Sequence, residues 1–558
     1  MAYVITQACC NDASCVSACP VNCIHPTPGE REFARTELLY IDPETCIDCG
    51  ACVDVCPVGA IFPEDELFGS LTRYKDINAD YYKTNPMPDG WIPLTPEAPP
   101  RRDLGTLRVA VVGAGPAACY AAAELLERSD VEVEMFEKLP TPFGLVRAGV
   151  APDHPETREV ARMFEWRLDR PNFEFHLNVE VGKHITHDEL LENYHAVIYA
   201  VGASGDRRLG IPGEDLPGVH SATDFVAWYN GHPDYVRHSF DLSGNRAVIV
   251  GNGNVALDVA RILTMKIEDL ERTDIADHAL AALRHSNIEE VVILGRRGCA
   301  QAAYSSPEFL ALGYLANVDV VIDSGDLGLR GRDQAWSADP ATAMKIRLVQ
   351  EFAGCEPRPG RKRIVFRYLT SPLAVVGSTK AEALQYGRNE LATDESGLVS
   401  AKLSSAKPMG GEGALDTSLV FRSIGCRGNP VDGVAFDEQH GVIPNERGRV
   451  CDRVYVAGWI KRGPSGVIGT NKACAKETVS TLLADFAAGR FPQTVGARKD
   501  VRKLIERRQP ERIGFAGWRA IDASERARAA GSGRPRIKVT NRSEMVSIAR
   551  KRRHFFAR

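Results

Sequence analysis

A chain of 558 residues is too long for one domain; at ~150 residues each, three or four are expected. An apolar content of 44% and a charged content of 25% are those of an ordinary soluble globular protein. The net charge of −5 is unevenly spread: residues 1–70 hold eleven acids against two bases, −9, which leaves +4 for the remainder. An acidic head on a mildly basic body can dock by charge complementarity, or the acids can simply serve solubility.

No basic segment precedes the first apolar residues, as a secretory signal would require. The longest apolar run, Val109 to Leu126, is interrupted by Gly113, Gly115 and Pro116, so it reads as strand, turn and helix rather than a membrane span. Nine of fifteen cysteines fall in the first 56 residues, a clustering that favours metal over disulfides and a cytoplasmic location. The basic tail ending Arg550-Lys551-Arg552-Arg553 reads as a solvated face and not as a nucleic-acid site.

The first motif is Cys46-x2-Cys49-x2-Cys52-x3-Cys56-Pro57. Three thiolates at intervals of three can wrap one iron–sulfur cubane, while the cysteine before the proline reaches a second cluster; zinc ligands come instead as two separated pairs. An altered copy lies upstream, Cys9-x5-Cys15-x3-Cys19-Pro20, without the central cysteine, so the pair implies a pseudo-twofold unit with three ligands for one cluster. Residues 1–65 thus resemble a seven-iron bacterial ferredoxin. The resemblance implies that Cys19, Cys46, Cys49 and Cys52 hold a 4Fe-4S cluster, and Cys9, Cys15 and Cys56 a 3Fe-4S cluster. The chain departs from that family in its short Cys9–Cys15 spacing and its extra Cys10, which can replace Cys9 or complete a second 4Fe-4S site. Cys23 resembles the family's free cysteine beside a cluster and reads equally as a small buried hydrophobe.

Residues 71–105 are read as a linker, rich in proline from Tyr81 to Gly105. Then Arg108 to Val112 is followed by Gly113-Ala-Gly115-Pro-Ala-Ala118, a strand, a GxGxxA loop and a helix. The first glycine permits the tight turn, the second lets a pyrophosphate approach, and Ala118 keeps helix and strand close. A second strand ends in Glu137, placed to bind a ribose hydroxyl pair. The loop–helix logic recurs at Gly251-Asn252-Gly253-Asn254-Val255-Ala256, but the next strand ends in Arg296-Arg297. Paired guanidiniums suit a 2′-phosphate, favouring NADP over NAD. The 45 residues between Gly251 and Arg296 require an inserted helix and loop through Ile267–Ser286. Farther on, Lys345–Phe352 and Arg363–Tyr368 read as strands.

Leu139-Pro-Thr-Pro-Phe-Gly-Leu-Val-Arg-Ala-Gly-Val-Ala-Pro-Asp-His154-Pro resembles adrenodoxin reductase and its bacterial ferredoxin–NADP reductase relatives, and Val456-Ala-Gly458-Trp459 through Asn471 resembles the family segment that closes over the flavin. The resemblance implies FAD contacts at Ala118, Glu137, Leu145, Val181, Trp459, Gly466, Val467 and Ile468. It implies NADP contacts at Asn252 to Val255, Arg296, Arg297, Glu308 and Gly466, with His154 and Asp258 as modulators beside the reacting rings.

The expected fold is therefore multidomain: an α+β ferredoxin-like head (1–70), the linker (71–105), and two α/β Rossmann-like units. The FAD-binding unit comprises 106–207 and 424–558 with the basic tail, and the NADP-binding unit 208–423. The expected reaction is hydride transfer from NADPH to FAD, then single electrons to the clusters and an external acceptor such as a cytochrome P450 or a separate ferredoxin. The alternatives are a reductase subunit of a glutamate synthase-like complex, which would need a large partner subunit, and a non-enzymatic cluster-carrying redox sensor.

Overall fold

A computed structural model describes residues 2–34, 36–86, 105–322, 340–393, 399–403 and 413–551. Most of the stretch read as linker and the last residues of the basic tail lie outside these.

The head is closed by Tyr3–Ile5 pairing antiparallel with Ile61–Pro63, and by Ile24–His25 pairing with Tyr40–Ile41. The short helices Ser14–Ala18 and Ala51–Asp54 lie between them. The helix Arg73–Thr84 corrects the linker reading, because it belongs to the head. Its buried Asn78 stitches the two strand pairs together: Oδ1 accepts from Ile5 N at 3.2 Å and Ile41 N at 2.9 Å, and Nδ2 donates to Ile5 O at 2.9 Å. Tyr82 adds donations to Tyr40 O and Cys23 O.

Two six-stranded sheets follow. In the first, Val454–Val456, Ala196–Tyr199, Leu107–Val112, Val131–Glu137 and Phe173–Leu177 run parallel in that order, with Arg449–Cys451 antiparallel at one edge. In the second, Val219–Ser221, Leu419–Arg422, Arg246–Val250, Glu290–Leu294, Lys362–Arg367 and Val318–Ile322 are all parallel. The six residues of Leu107–Val112 are all buried, as a parallel strand covered on both faces requires. In each sheet the strand before the glycine loop has its chain successor on one side and a later strand on the other. That order reversal is the topological switch point where open α/β sheets bind ligands. A smaller antiparallel sheet of Thr370–Val376, Ala383–Thr393, Val399–Leu403 and Ala414–Asp416 stands beside the second.

Two expectations change. Lys345–Phe352 lies within the helix Pro340–Ala353, with Leu348, Val349 and Phe352 turned inward at helical spacing; Ile346 and Leu348 merely imitate a strand's alternation. The insertion after the second glycine loop holds two short helices, Ile267–Leu270 and Asp277–Leu283, in place of one longer helix.

Asn78→Ala would leave two buried strand amides and a carbonyl without partners, costing about 2 kcal/mol. The expected outcome is roughly 30-fold faster hydrogen exchange at Ile5 and Ile41, with the strand Leu107–Val112 unaffected.

Candidate functional site

The two glycine loops are near copies in geometry. Gly113 has φ +101, and a Cβ there would lie 2.5 Å from Ala200 O; Gly251 has φ +112, and a Cβ would lie 2.1 Å from Ser423 O. Each first glycine is thus pressed against the carbonyl after the neighbouring strand of the switch point. By contrast, a Cβ at Gly115 would meet nothing within 4 Å, and one at Gly253 only Ala303 Cβ at 3.9 Å. The second glycines open onto space at helix N-termini, a cradle that fits a pyrophosphate.

Around the first loop the structure gathers most of the expected FAD residues. Glu137 accepts from Ala114 N and Leu139 N, both at 2.9 Å, which fixes its carboxylate at the loop mouth. The segment carrying Leu145 folds over the loop: Phe143 N donates to Ala114 O at 2.8 Å, and Gly144 stands so close that a Cβ would lie 3.0 Å from Gly115 Cα. Ala118 is fully buried behind the loop. Val179 N donates to Glu137 O, so Val181 follows two residues beyond that contact. Gly458, at φ +79, approaches Ala117 and sets the half-buried Trp459 beside the same helix N-terminus. Trp459 Nε1 donates to Ser465 O, tying it to the Gly466-Val467-Ile468 turn.

Around the second loop, Asn254 Oδ1 accepts from Ser305 N at 2.8 Å, and Asn252 Oδ1 accepts from Ala303 N at 3.4 Å. Val255 is an exposed apolar side chain at the helix start. Arg296 is exposed and Arg297 half-buried. No carboxylate among the described residues is in ion-pair range of either guanidinium, and burial, then Arg296, pushes the Arg297 pKa down. Such a pair suits an anionic ligand.

Between the loops lies a cluster that sequence reasoning found only in part. Arg261, 2% exposed, pairs with Asp153 at 2.5 Å, Asp258 at 2.7 Å and Glu308 at 3.3 Å, while His154 Nε2 stands 3.8 Å from Glu308. Burial opposes the Arg261 charge, but the three carboxylates outweigh it and hold its pKa well above normal. Burial pushes Asp258 up, whereas Arg261 and His154 outweigh burial at Asp153 and pull it down. His154, Asp258 and Glu308 are thus brought together. Arg261 carries the only hint of its role in its i, i+3 spacing from Asp258.

In the head, Cys9, Cys15, Cys19 and Pro20 recur 37 residues later as Cys46, Cys52, Cys56 and Pro57. The backbone repeats too: Asn11 and Asp48 have φ +56 and +57, and Ala13 and Gly50, each the left-handed residue before a short helix, have +56 and +71. Cys9 is therefore the counterpart of Cys46, Cys10 of the exposed Ile47, and Asp12 of Cys49. Cys9, Cys10, Asp12, Cys15 and Cys56 line one cavity. Among the described residues, no three cysteine sulfurs approach within 4.8 Å of one another. A tetrahedral zinc with Zn–S near 2.3 Å would need sulfurs about 3.8 Å apart, closer than any three of these stand. Burial pushes the Cys9 and Cys52 thiols up to about 11, so iron must displace their protons on binding. Cys23 is buried with its sulfur 3.4 Å from that of Cys19.

The head sits across both dinucleotide units. Gly469 N donates to Cys10 O at 2.7 Å, and a Gly469 Cβ would fall 2.2 Å from Asn11 C. Lys472 pairs with Asp12, Lys345 with Glu37 and Arg347 with Asp80, each a head acid on a body base; Arg73–Glu351 runs the other way. Cys10, Val58 and Ala60 share a continuous core with the first-sheet unit, and Val4, Leu39 and Tyr74 with the second.

Residues 107–296 match the family model for pyridine nucleotide-disulphide oxidoreductases, and residues 39–62 that for a 4Fe-4S binding domain. The chain is 50% identical to a probable ferredoxin/ferredoxin–NADP reductase of Mycobacterium tuberculosis, over 98% of this chain and 95% of that one. The chain belongs to the ferredoxin/ferredoxin–NADP reductase family. It is an oxidoreductase, a flavoprotein reductase fused to a ferredoxin domain. It is also 48% identical to NADPH-ferredoxin reductase FprA of M. tuberculosis over 79% of this chain and 98% of that one. The solved structure of M. tuberculosis FprA in complex with NADPH superposes with a TM-score of 0.76, at 47% identity over 80% of this chain and 99% of that one. These relatives favour a reductase over a synthase subunit or a sensor. No helix among the described residues is long and apolar enough to cross a membrane.

Gly251→Ala places a methyl against Ser423 O in a left-handed conformation. The reductase is expected to keep its flavin and lose NADPH affinity by more than about tenfold, read by the flavin-to-protein absorbance ratio and by titration.

Proposed function

We propose that the reductase oxidises NADPH and passes the electrons singly into its own head, which delivers them to an external acceptor such as a cytochrome P450 or a separate ferredoxin in the cytoplasm. The observation that carries this reading is the seat of the head: the Cys10 carbonyl rests on the Gly469 amide, next to the turn assigned to the flavin.

FAD supplies the conversion of a two-electron hydride into single electrons. The residues bind, orient and exclude water. The open space at Gly115 and the helix start behind it would receive the flavin pyrophosphate, Glu137 would take the ribose hydroxyls, and Leu145, Val181, Trp459, Gly466, Val467 and Ile468 would cover the cofactor. Gly251 to Val255 cradle the NADP pyrophosphate, and Arg296 and Arg297 grip its 2′-phosphate. His154, Asp258 and Glu308, ordered by Arg261, form the polar wall beside the reacting rings; hydride transfer itself needs no acid or base from them.

In the head, the repeated backbone favours Cys9, Cys15 and Cys56 as ligands of a 3Fe-4S cluster, and Cys19, Cys46, Cys49 and Cys52 as ligands of a 4Fe-4S cluster. Cys10, as counterpart of the outward Ile47, packs against the reductase while also lining the cavity of Cys9, Cys15 and Cys56. The first set faces the body, whereas Cys49 and Ile47 are exposed, so the second set is the exit.

Anaerobic stopped-flow mixing with NADPH should bleach the flavin first and the clusters after it; flavin reduction with clusters left oxidised would overturn the built-in acceptor. Arg296→Ala removes a charge-assisted contact of about 1.5–3 kcal/mol, so KM for NADPH should rise roughly 10- to 100-fold while that for NADH stays put.

A further inference from the structure

The segment 302–306 leads from the short turn after Arg297 into the helix Ser306–Leu312, which carries Glu308. Two neighbours grip it from opposite sides. On one side stands the second glycine loop. Asn252 Oδ1 accepts from Ala303 N at 3.4 Å, Asn254 Oδ1 accepts from Ser305 N at 2.8 Å, and Asn254 Nδ2 donates to Ser305 Oγ at 3.3 Å. On the other side stands the head. Glu37 Oε2 accepts from the next amide, Ser306 N, at 2.8 Å, and Glu37 Oε1 lies 3.7 Å from Lys345 Nζ. That ammonium in turn donates to Ala302 O at 3.0 Å and lies 5.5 Å from the centre of the Tyr304 ring. Ser306 is buried, so its amide would stay unpaired without the carboxylate from the head.

We propose that Glu37 is a positioning residue for NADP, and that seating of the head and binding of NADP reinforce each other through the segment 302–306. This rests on the assignment of Asn252 to Val255 to the NADP pyrophosphate. With the head seated, both ends of the segment are fixed: Lys345 holds the Ala302 carbonyl and Glu37 the Ser306 amide. The side chains of Asn252 and Asn254 are fixed in turn, because they accept from amides between those two points. The loop is then ordered before the nucleotide arrives, and binding need not supply that ordering. With the head lifted, Ser306 N loses its acceptor and Lys345 its countercharge, and the loop side chains loosen with the segment. Linkage makes the effect reciprocal: the factor by which a seated head tightens NADP is the factor by which NADP tightens the seat. Glu37 acts only through Ser306 and Lys345. It biases the reductase towards taking NADPH when the head is in place to receive electrons.

The test titrates the full-length holoprotein with NADP+, which binds without delivering electrons, by calorimetry. It also follows hydrogen exchange at the Gly469 amide, whose acceptor is the Cys10 carbonyl of the head. Glu37→Ala should raise the NADP+ Kd at least about fivefold, the lower end of a typical coupling. Glu37→Gln, which keeps an oxygen for Ser306 N, should raise it less. An unchanged cluster absorbance per flavin shows that the head is intact. Should Glu37→Ala shed its clusters, Ser306→Pro removes the same hydrogen bond from the body side, at the first residue of a helix, where proline is tolerated. In wild type, saturating NADP+ should slow Gly469 exchange several-fold; in Glu37→Ala it should not. A Kd indifferent to these substitutions overturns the proposal, and so does equal slowing in both proteins, which direct cover by the nucleotide would give. Arg296→Ala separates the two levels. If it also leaves the Kd unchanged, the NADP assignment falls; if it alone weakens binding, the assignment stands and the link to the head falls.

Discussion

Two backbone approaches govern this molecule: Gly113 against the carbonyl of Ala200, and Gly251 against that of Ser423. In each, a chain in the left-handed region turns sharply enough to bring three strand ends and one helix start to a single point. A side chain there would collide with backbone, which cannot move without shifting a whole strand. Both units therefore point their helix N-termini at a ligand, and the Leu145 segment and the Trp459 turn can close only because that point is fixed.

The attachment of the head follows a different logic. Each exposed ion pair contributes little, about 0–1 kcal/mol, and is screened by salt. What holds the head is apolar continuity with both cores, together with the close fit at Gly469, where nothing larger than hydrogen can stand. The charges set orientation: acids at Asp12, Glu37 and Asp80 find bases at Lys472, Lys345 and Arg347. The charge imbalance between head and body is thus put to use in docking.

What could be read in advance was local. Cysteine spacing, glycine loops and the Arg296-Arg297 pair lie within short stretches whose chemistry is self-contained. The helix Arg73–Thr84 carried a helical stripe in Tyr74, Ile77, Asn78, Tyr81 and Tyr82, but its polar and aromatic members disguised it as linker. Lys345–Phe352 deceived through two apolar residues at strand spacing. Arg261 and Lys472 were out of reach, because their partners are set by tertiary approach: Lys472 meets Asp12 across 460 positions of chain. The correspondence of Asp12 with Cys49 was countable from spacing, yet it acquired meaning only when the left-handed residues on either side matched as well.

The seat of the head also orders events on the ribosome. The polar contacts at Ser306, Lys345, Glu351 and Lys472 that receive the head are translated long after Cys56. At 5–20 residues per second, roughly 20 to 80 s separate Cys56 from Lys472. The face that later presses on Gly469 is uncovered throughout that interval. Once the C-terminal half has folded, that face is covered, whereas the side of the head that carries Cys49 stays exposed.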